Sequence, residues 1–164
     1  DIAMKASLTG QLVLSTLHTN DAPSAVTRLI DMGVEPFLVA SSVSLIQAQR
    51  LVRRLCMKCR KAYEPDRSVL EGLGAKRDKK ATFFQSVGCR ACNGTGFRGR
   101  MGIMETFIVD ERIRELIVSR CQSWEIKDYT VKAHHMRTLR EDGLLKAEDG
   151  LTTLEEVLTA TTEE

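Results

Sequence analysis

The amino-acid sequence predicts an α/β fold with a loop-rich middle and a helical end, and three observations carry that reading. An uncharged apolar run is followed by helix-starting residues, two C-x-x-C pairs bracket a stretch with little periodicity, and the last third repeats apolar residues at helical spacing. With 164 residues, 43% of them hydrophobic and 28% charged, the chain can build one or two small cores, which excludes the disordered and low-complexity classes.

The chain opens on Ile2, Ala3, Met4 and Ala6, the pattern of a helix already under way, which Gly10 closes. With no Met at position 1, this start reads as a piece of a larger protein. Residues 11–17 (QLVLSTL) carry no charge and read as a strand covered on both faces. Residues 20–24 (NDAPS) then supply an N-cap candidate and a proline for the first turn of a helix over residues 23–32, with Val26, Leu29 and Ile30 on its buried stripe and Gly33 as its stop. Pro36 begins a further helical stretch over residues 37–49. A strand followed by a helix, with polar residues at the strand's end, is where open α/β sheets place ligands. Here those residues are 15–21 (STLHTND), centred on His18.

The middle zone, residues 56–109, shows little helical periodicity beyond a turn around residues 68–73. The last zone, residues 110–164, is helical. Ile113, Leu116, Ile117 and Cys121 share one face of a helix starting near Asp110, which makes Cys121 a packed core thiol. Trp124, Tyr129, Val131 and Met136 mark a second element, Gly143 and Gly150 break the pattern, and Thr153 with Glu156 forms a capping box ahead of Leu154, Val157 and Leu158.

A net charge of +2 is too balanced for a chain that lives by non-specific phosphate contacts. It conceals a gradient: residues 1–55 carry +1, residues 56–109 carry +6 and residues 110–164 carry −5. The six cations Arg50, Arg53, Arg54, Lys58, Arg60 and Lys61 have Tyr63 as their one nearby aromatic, so no nucleic-acid groove is expected there; a solvated face or a subunit interface is. No apolar run approaches the ~18 residues that cross a bilayer, and the N-terminal end has no basic region leading into an apolar one.

A middle zone without a core of its own needs a staple. Cys56 and Cys59 form one C-x-x-C pair, Cys89 and Cys92 another, and 29 residues separate them. Each pair can fold as a knuckle aiming two thiolates at one point, and four thiolates around a tetrahedral Zn2+ leave no position for water, so the role is structural. A mononuclear iron centre uses the same sulfur geometry and stays open as an alternative. Disulfides and redox motifs fit less well, because the context reads as cytosolic and the pairs lie in turns.

Five stretches, taken in order, resemble the type II secretion and type IV pilus assembly ATPases: residues 8–30 (LTGQLVLSTLHTNDAPSAVTRLI), 48–56 (AQRLVRRLC), the two cysteine pairs, 96–103 (GFRGRMGI) and 150–158 (GLTTLEEVL). The resemblance implies that residues 1–55 are the C-terminal part of a RecA-like P-loop ATPase sheet, residues 56–109 an inserted tetracysteine zinc module with its following strand, and residues 110–164 a C-terminal helical subdomain. It further implies a homo-hexameric motor at the cytoplasmic face of the bacterial inner membrane, using ATP and Mg2+ and working with membrane platform and cytoplasmic adaptor proteins.

On that resemblance His18 matches the family's histidine box and is expected near the γ-phosphate. Arg98 and Arg100 match its Gly-Phe/Tyr-Arg-Gly-Arg motif, near the nucleotide edge or the neighbouring subunit, and Cys56, Cys59, Cys89 and Cys92 match its zinc ligands. Gln11 and Met57 stand where the family often has His and Pro. No G-x-x-x-x-G-K-[ST] loop or acidic Mg2+ site is present, and residues 94–99 (GTGFRG) read as a turn, so the chain alone is expected to be inactive. The competing reading is an independent zinc-ribbon module that binds nucleic acid or a protein partner.

Overall fold

The computed structural model describes residues 2–66, 70 and 82–161. Helices α1 (Ile2–Leu8), α2 (Pro23–Asp31) and α3 (Pro36–Ser42) lead into strand β1 (Leu45–Leu55). Short strands β2 (Lys61–Tyr63) and β3 (Phe83–Gln85) follow, then a single 3-10 turn (Arg90–Cys92) and strand β4 (Phe97–Ile108). Helices α4 (Glu111–Val118), α5 (Ser123–Ala133), α6 (Leu139–Glu148) and α7 (Leu154–Ala160) complete the order. β1 pairs with β4, and β2 lies antiparallel to β3 with Ala62 opposite Phe84.

Two compact units result, each built from two stretches of chain: Asp1–Ala48 with Glu105–Met136, and Gln49–Met104 with Arg137–Glu164. Two of the three crossings between them fall inside the long strands β1 and β4, and the third lies between the helices α5 and α6.

The first unit is a helical core around Val26, Val39, Phe107, Ile113, Ile117 and Ile126, each at most 2% exposed. α2 forms where the proline predicts it, with Asp21 Oδ1 accepting the Ser24 N–H at 2.8 Å. α4 is capped by Asp110, whose Oδ1 accepts the Ile113 N–H at 2.8 Å. The other Asp110 oxygen accepts the Tyr129 hydroxyl and pairs with His134 Nε2, both at 2.8 Å, so one carboxylate ties α4 to α5 and to the residue that ends it. Burial opposes ionisation of Asp110, but the Ile113 amide, Tyr129 and His134 hold its carboxyl below the ordinary value. Cys121 packs against this core, as its position on the apolar face predicts.

Two expectations fail in the first unit. Residues 11–19 have no regular secondary structure, and Leu12 and Leu14 are 89% and 87% exposed rather than buried in a strand. A strand covered on both faces requires neighbours to pair with, and among the described residues no strand lies beside this one. The helix over residues 37–49 ends at Ser42, and β1 begins at Leu45. Burial alternates as in a strand from Leu45 to Val52 and leaves Leu51 57% exposed.

The second unit packs Phe83, Leu144, Ala147, Leu154 and Val157 into a smaller core. Gly143 does not break a helix; it lies within α6, where a Cβ would strike Val157 of α7 at 2.6 Å, so the missing side chain is what lets the two helices close. Gly150 does end the pattern, with φ at +69°. The turn around residues 68–73 lies outside the described residues apart from Leu70.

The basic stretch is partly spent within this unit. Arg60 caps the end of α6 through the Asp149 and Gly150 carbonyls and lies 4.5 Å over the Phe84 ring. Arg53 lies 4.1 Å over Phe97 and grips Glu156 with Nε at 2.9 Å and Nη2 at 2.6 Å, while its backbone N–H donates to the other carboxylate oxygen at 2.9 Å. The capping box is therefore half made. Thr153 accepts the Glu156 N–H, but the Glu156 carboxylate turns to Arg53.

The Arg53 hydrogen bond, against the opposing effect of burial, holds the Glu156 carboxyl below its ordinary value. A lowered folded-state value means that the stabilisation is complete above the ordinary carboxylate range and is lost as pH falls through the folded value. Arg53 is 57% exposed, which keeps the pair in the weaker range. Glu156→Gln is expected to cost about 1 kcal/mol near neutrality and almost nothing at ~pH 3, read by urea unfolding at the two pH values.

Candidate metal centre

The four cysteines expected to act together do come together. Cys56 closes β1, and the chain turns back at once, with the Cys59 and Arg60 amides donating to the Cys56 carbonyl at 3.1 and 3.0 Å. The second knuckle is the 3-10 turn: the Cys92 and Gly94 amides donate to the Cys89 carbonyl at 3.2 and 2.9 Å, and Asn93 takes a left-handed φ of +52° to reverse the chain. A bond from the Cys56 N–H to the Gly96 carbonyl, 2.9 Å, joins one knuckle to the other. Gly96 has φ at +75°, and a Cβ there would run into Ser86, so glycine is what lets the strands beside the knuckles approach.

All four sulfurs lie within 4.8 Å of one another. Cys56 and Cys89 are 3.9 Å apart, Cys59 and Cys92 3.8 Å, and Cys89 and Cys92 3.8 Å. These separations are almost twice the ~2.05 Å of a disulfide. A tetrahedron with metal–sulfur arms of about 2.3 Å has edges of about 3.8 Å, so the donor set fits a tetrahedral thiolate-bound ion. The site could hold a metal ion.

The electrostatics point the same way. Burial raises the Cys92 thiol, but amides of Cys89 and Gly96 donating to its sulfur, each at 3.2 Å, and the neighbouring thiols bring it down to about 6. Cys59 is pushed up to about 11 by burial first, with the other three thiols adding and the Gly88 backbone opposing. One thiolate at this point makes the next unfavourable, and a divalent cation is what allows four.

The other expected site residues lie elsewhere. His18 is exposed at the end of the irregular segment of the first unit, where it borders an open depression with Asn20, Thr27, Arg28 and Asp31. Arg98 and Arg100 are exposed on β4 in the second unit, on either side of Gly99, whose φ is +77°.

The family described as "Type II/IV secretion system protein" matches residues 1–159. The chain belongs to that family. It is 49% identical over 161 residues to the type IV pilus assembly ATPase PilB of Myxococcus xanthus, an alignment covering 96% of this chain and 28% of that protein. It is 46% identical over 165 residues to the type II secretion system ATPase E of Vibrio cholerae, covering 99% and 32%. With the type II secretion system protein HxcR of Pseudomonas aeruginosa the identity is 51% over 160 residues, covering 98% and 30%. The chain spans less than a third of the length of each of these relatives. Among the described residues no helix is long and apolar enough to cross a membrane.

Within this family member, sequence reasoning missed Glu105, a fully buried carboxylate on β4. The signal was available: the alternation of β4 that buries Phe107 also buries position 105, where an acidic residue is out of place.

The metal centre has a direct test. Protein purified without chelator is expected to carry close to one divalent ion per chain by elemental analysis, and Cys92→Ser to carry much less. Replacement by Co2+ should give the strong visible absorption of tetrahedral thiolate coordination. Metal-free protein with an unchanged fold would count against the site.

Proposed function

We propose that this chain is the C-terminal part of an ATPase that drives assembly of type II secretion pseudopili or type IV pili. The observation that carries this reading is identity of 46–49% to proteins named as such ATPases, sustained over 96–99% of the chain. In the full-length protein a preceding segment supplies the phosphate loop and the acidic Mg2+ site, and residues 1–55 complete a RecA-like sheet. That sheet gives residues 11–17 the neighbours that a buried strand needs. Residues 56–109 form the module around a structural Zn2+ bound by Cys56, Cys59, Cys89 and Cys92, and residues 110–164 the C-terminal helical subdomain.

The zinc orders the knuckles and does no chemistry, because four sulfurs fill its coordination shell. His18, exposed and flanked by Thr19 and Asn20, is the residue of this chain that meets the γ-phosphate of ATP. Arg98 and Arg100, exposed side by side on β4, supply positive charge at the nucleotide edge or to the adjacent subunit of a homo-hexamer, since a ring brings different patches face to face. The motor works at the cytoplasmic face of the inner membrane with platform and adaptor proteins. Engagement of Arg53 and Arg60 within the second unit weighs against the basic stretch as a nucleic-acid groove.

Two measurements test this reading. In the full-length protein, His18→Ala is expected to lower kcat at least ~10-fold, and Arg98→Ala or Arg100→Ala to abolish most of the rate gained on ring assembly. The isolated 164-residue chain should neither hydrolyse ATP nor bind it tightly. Turnover by the pure chain, or a coding sequence upstream without a phosphate loop, would overturn the reading.

A further inference from the structure

Residues 18–22 connect the irregular segment that carries His18 to the first turn of α2. An irregular segment has no ladder to fix it, so the position of His18 depends on how the chain is tied where it becomes regular. Among the polar contacts at that point are three that involve side chains of Asp21 and Glu105. Asp21 Oδ1 takes the Ser24 N–H at 2.8 Å, Asp21 Oδ2 faces Lys127 Nζ at 3.6 Å, and Glu105 Oε1 takes the Ala22 N–H at 2.9 Å.

The third contact differs in kind from the other two. Glu105 is 0% exposed and Ala22 1%, so this carboxylate has been taken out of water at a strand position whose parity calls for an apolar side chain. Burying an acidic group is costly unless its oxygens are bonded, so a bond between its oxygen and a buried amide is correspondingly hard to lose. Glu105 and Ala22 are 83 residues apart in sequence and belong to the same compact unit. The contact therefore fixes the loop to the rigid strand β4 rather than to its own neighbours.

We propose that Glu105 is a positioning residue for His18: by holding the Ala22 N–H it sets where residues 18–22 present the imidazole. The proposal rests on the reading of His18 as the group that meets the γ-phosphate. It assigns Glu105 no contact with nucleotide, so removal of the tie affects the rate of turnover and leaves nucleotide affinity in place. Displacement of a catalytic group by about an ångström can cost up to ~100-fold in rate.

The test is a double-mutant cycle in the full-length ATPase, using His18→Ala, Glu105→Met and the combination. Methionine fills the space of the buried side chain without offering an oxygen to the amide, and Glu105→Gln keeps an oxygen. Expected are a kcat loss of ~10-fold or more for Glu105→Met with KM for ATP within ~2-fold, recovery to within ~3-fold of wild type for Glu105→Gln, and no further loss when Glu105→Met is added to His18→Ala. Faster hydrogen exchange at the Ala22 amide should accompany Glu105→Met. Independent, additive losses would overturn the proposal while leaving His18 in its role, as would Glu105→Met with full kcat. If Glu105→Met does not fold, the cycle is run with Ala22→Pro, which removes the amide donor at a φ of −71° that proline adopts: a kcat loss that does not add to His18→Ala supports the tie, and full kcat or an additive loss overturns it. Full activity of His18→Ala removes the reading of His18 and the proposal with it.

Discussion

Four sulfur atoms held within 4.8 Å of one another impose the central constraint on this chain, because thiolates crowded to that degree repel unless a cation lies among them. The sequence meets the constraint with two tight turns, the Cys89 and Gly96 amides pointing at the Cys92 sulfur, and the Cys56–Gly96 hydrogen bond locks the turns together. The rest of the second unit is built outward from that lock. The Leu55 N–H donates to the Leu151 carbonyl at 2.8 Å, Arg53 reaches Glu156, and Arg60 caps α6, so the residues leading into and out of the first knuckle gather the C-terminal helices. The acidic end of the chain is held by Arg53 through Glu156, while Asp142 accepts the Met104 N–H at 2.8 Å beside Lys146, which donates to the Gly102 carbonyl at 2.9 Å.

What could be read from sequence was whatever a few neighbouring residues decide. Pro23 and Asp21 place the start of α2, the apolar spacing of Ile113 and Ile117 marks α4, and the two C-x-x-C pairs announce convergent thiols, since each of these follows from geometry within a turn or two of chain. Readings that depended on distant partners failed. Residues 11–17 have a strand's composition but not a strand's pairing, and residues 45–49, read as the end of a helix, belong to a strand set by pairing with β4. Gly143 and Glu156 were misjudged for a related reason. The glycine answers to Val157 of another helix, and the glutamate to Arg53, more than a hundred residues away, instead of to its own cap.

The same distinction separates the two kinds of site in this family member. A metal centre announces itself because its ligands are chemically unusual and regularly spaced, and its geometry is the local geometry of the knuckles. The histidine proposed to meet phosphate does not, since one imidazole at the end of an apolar run is ordinary in composition and would take its significance from where the loop is held. The loop is held in part by a residue that breaks a rule: an acid on the buried parity of β4 is locally unfavourable and becomes reasonable once the Ala22 amide is seen against it. A buried acidic residue out of step with the alternation of its strand is therefore the sequence-level trace of a long-range tie, and in this chain it lies two residues beyond the Gly-Phe-Arg-Gly-Arg-Met-Gly-Ile run that carries Arg98 and Arg100. β4 thus bears exposed cations near its start, in one compact unit, and a buried carboxyl further along, in the other, and that carboxyl is the proposed anchor of the histidine loop.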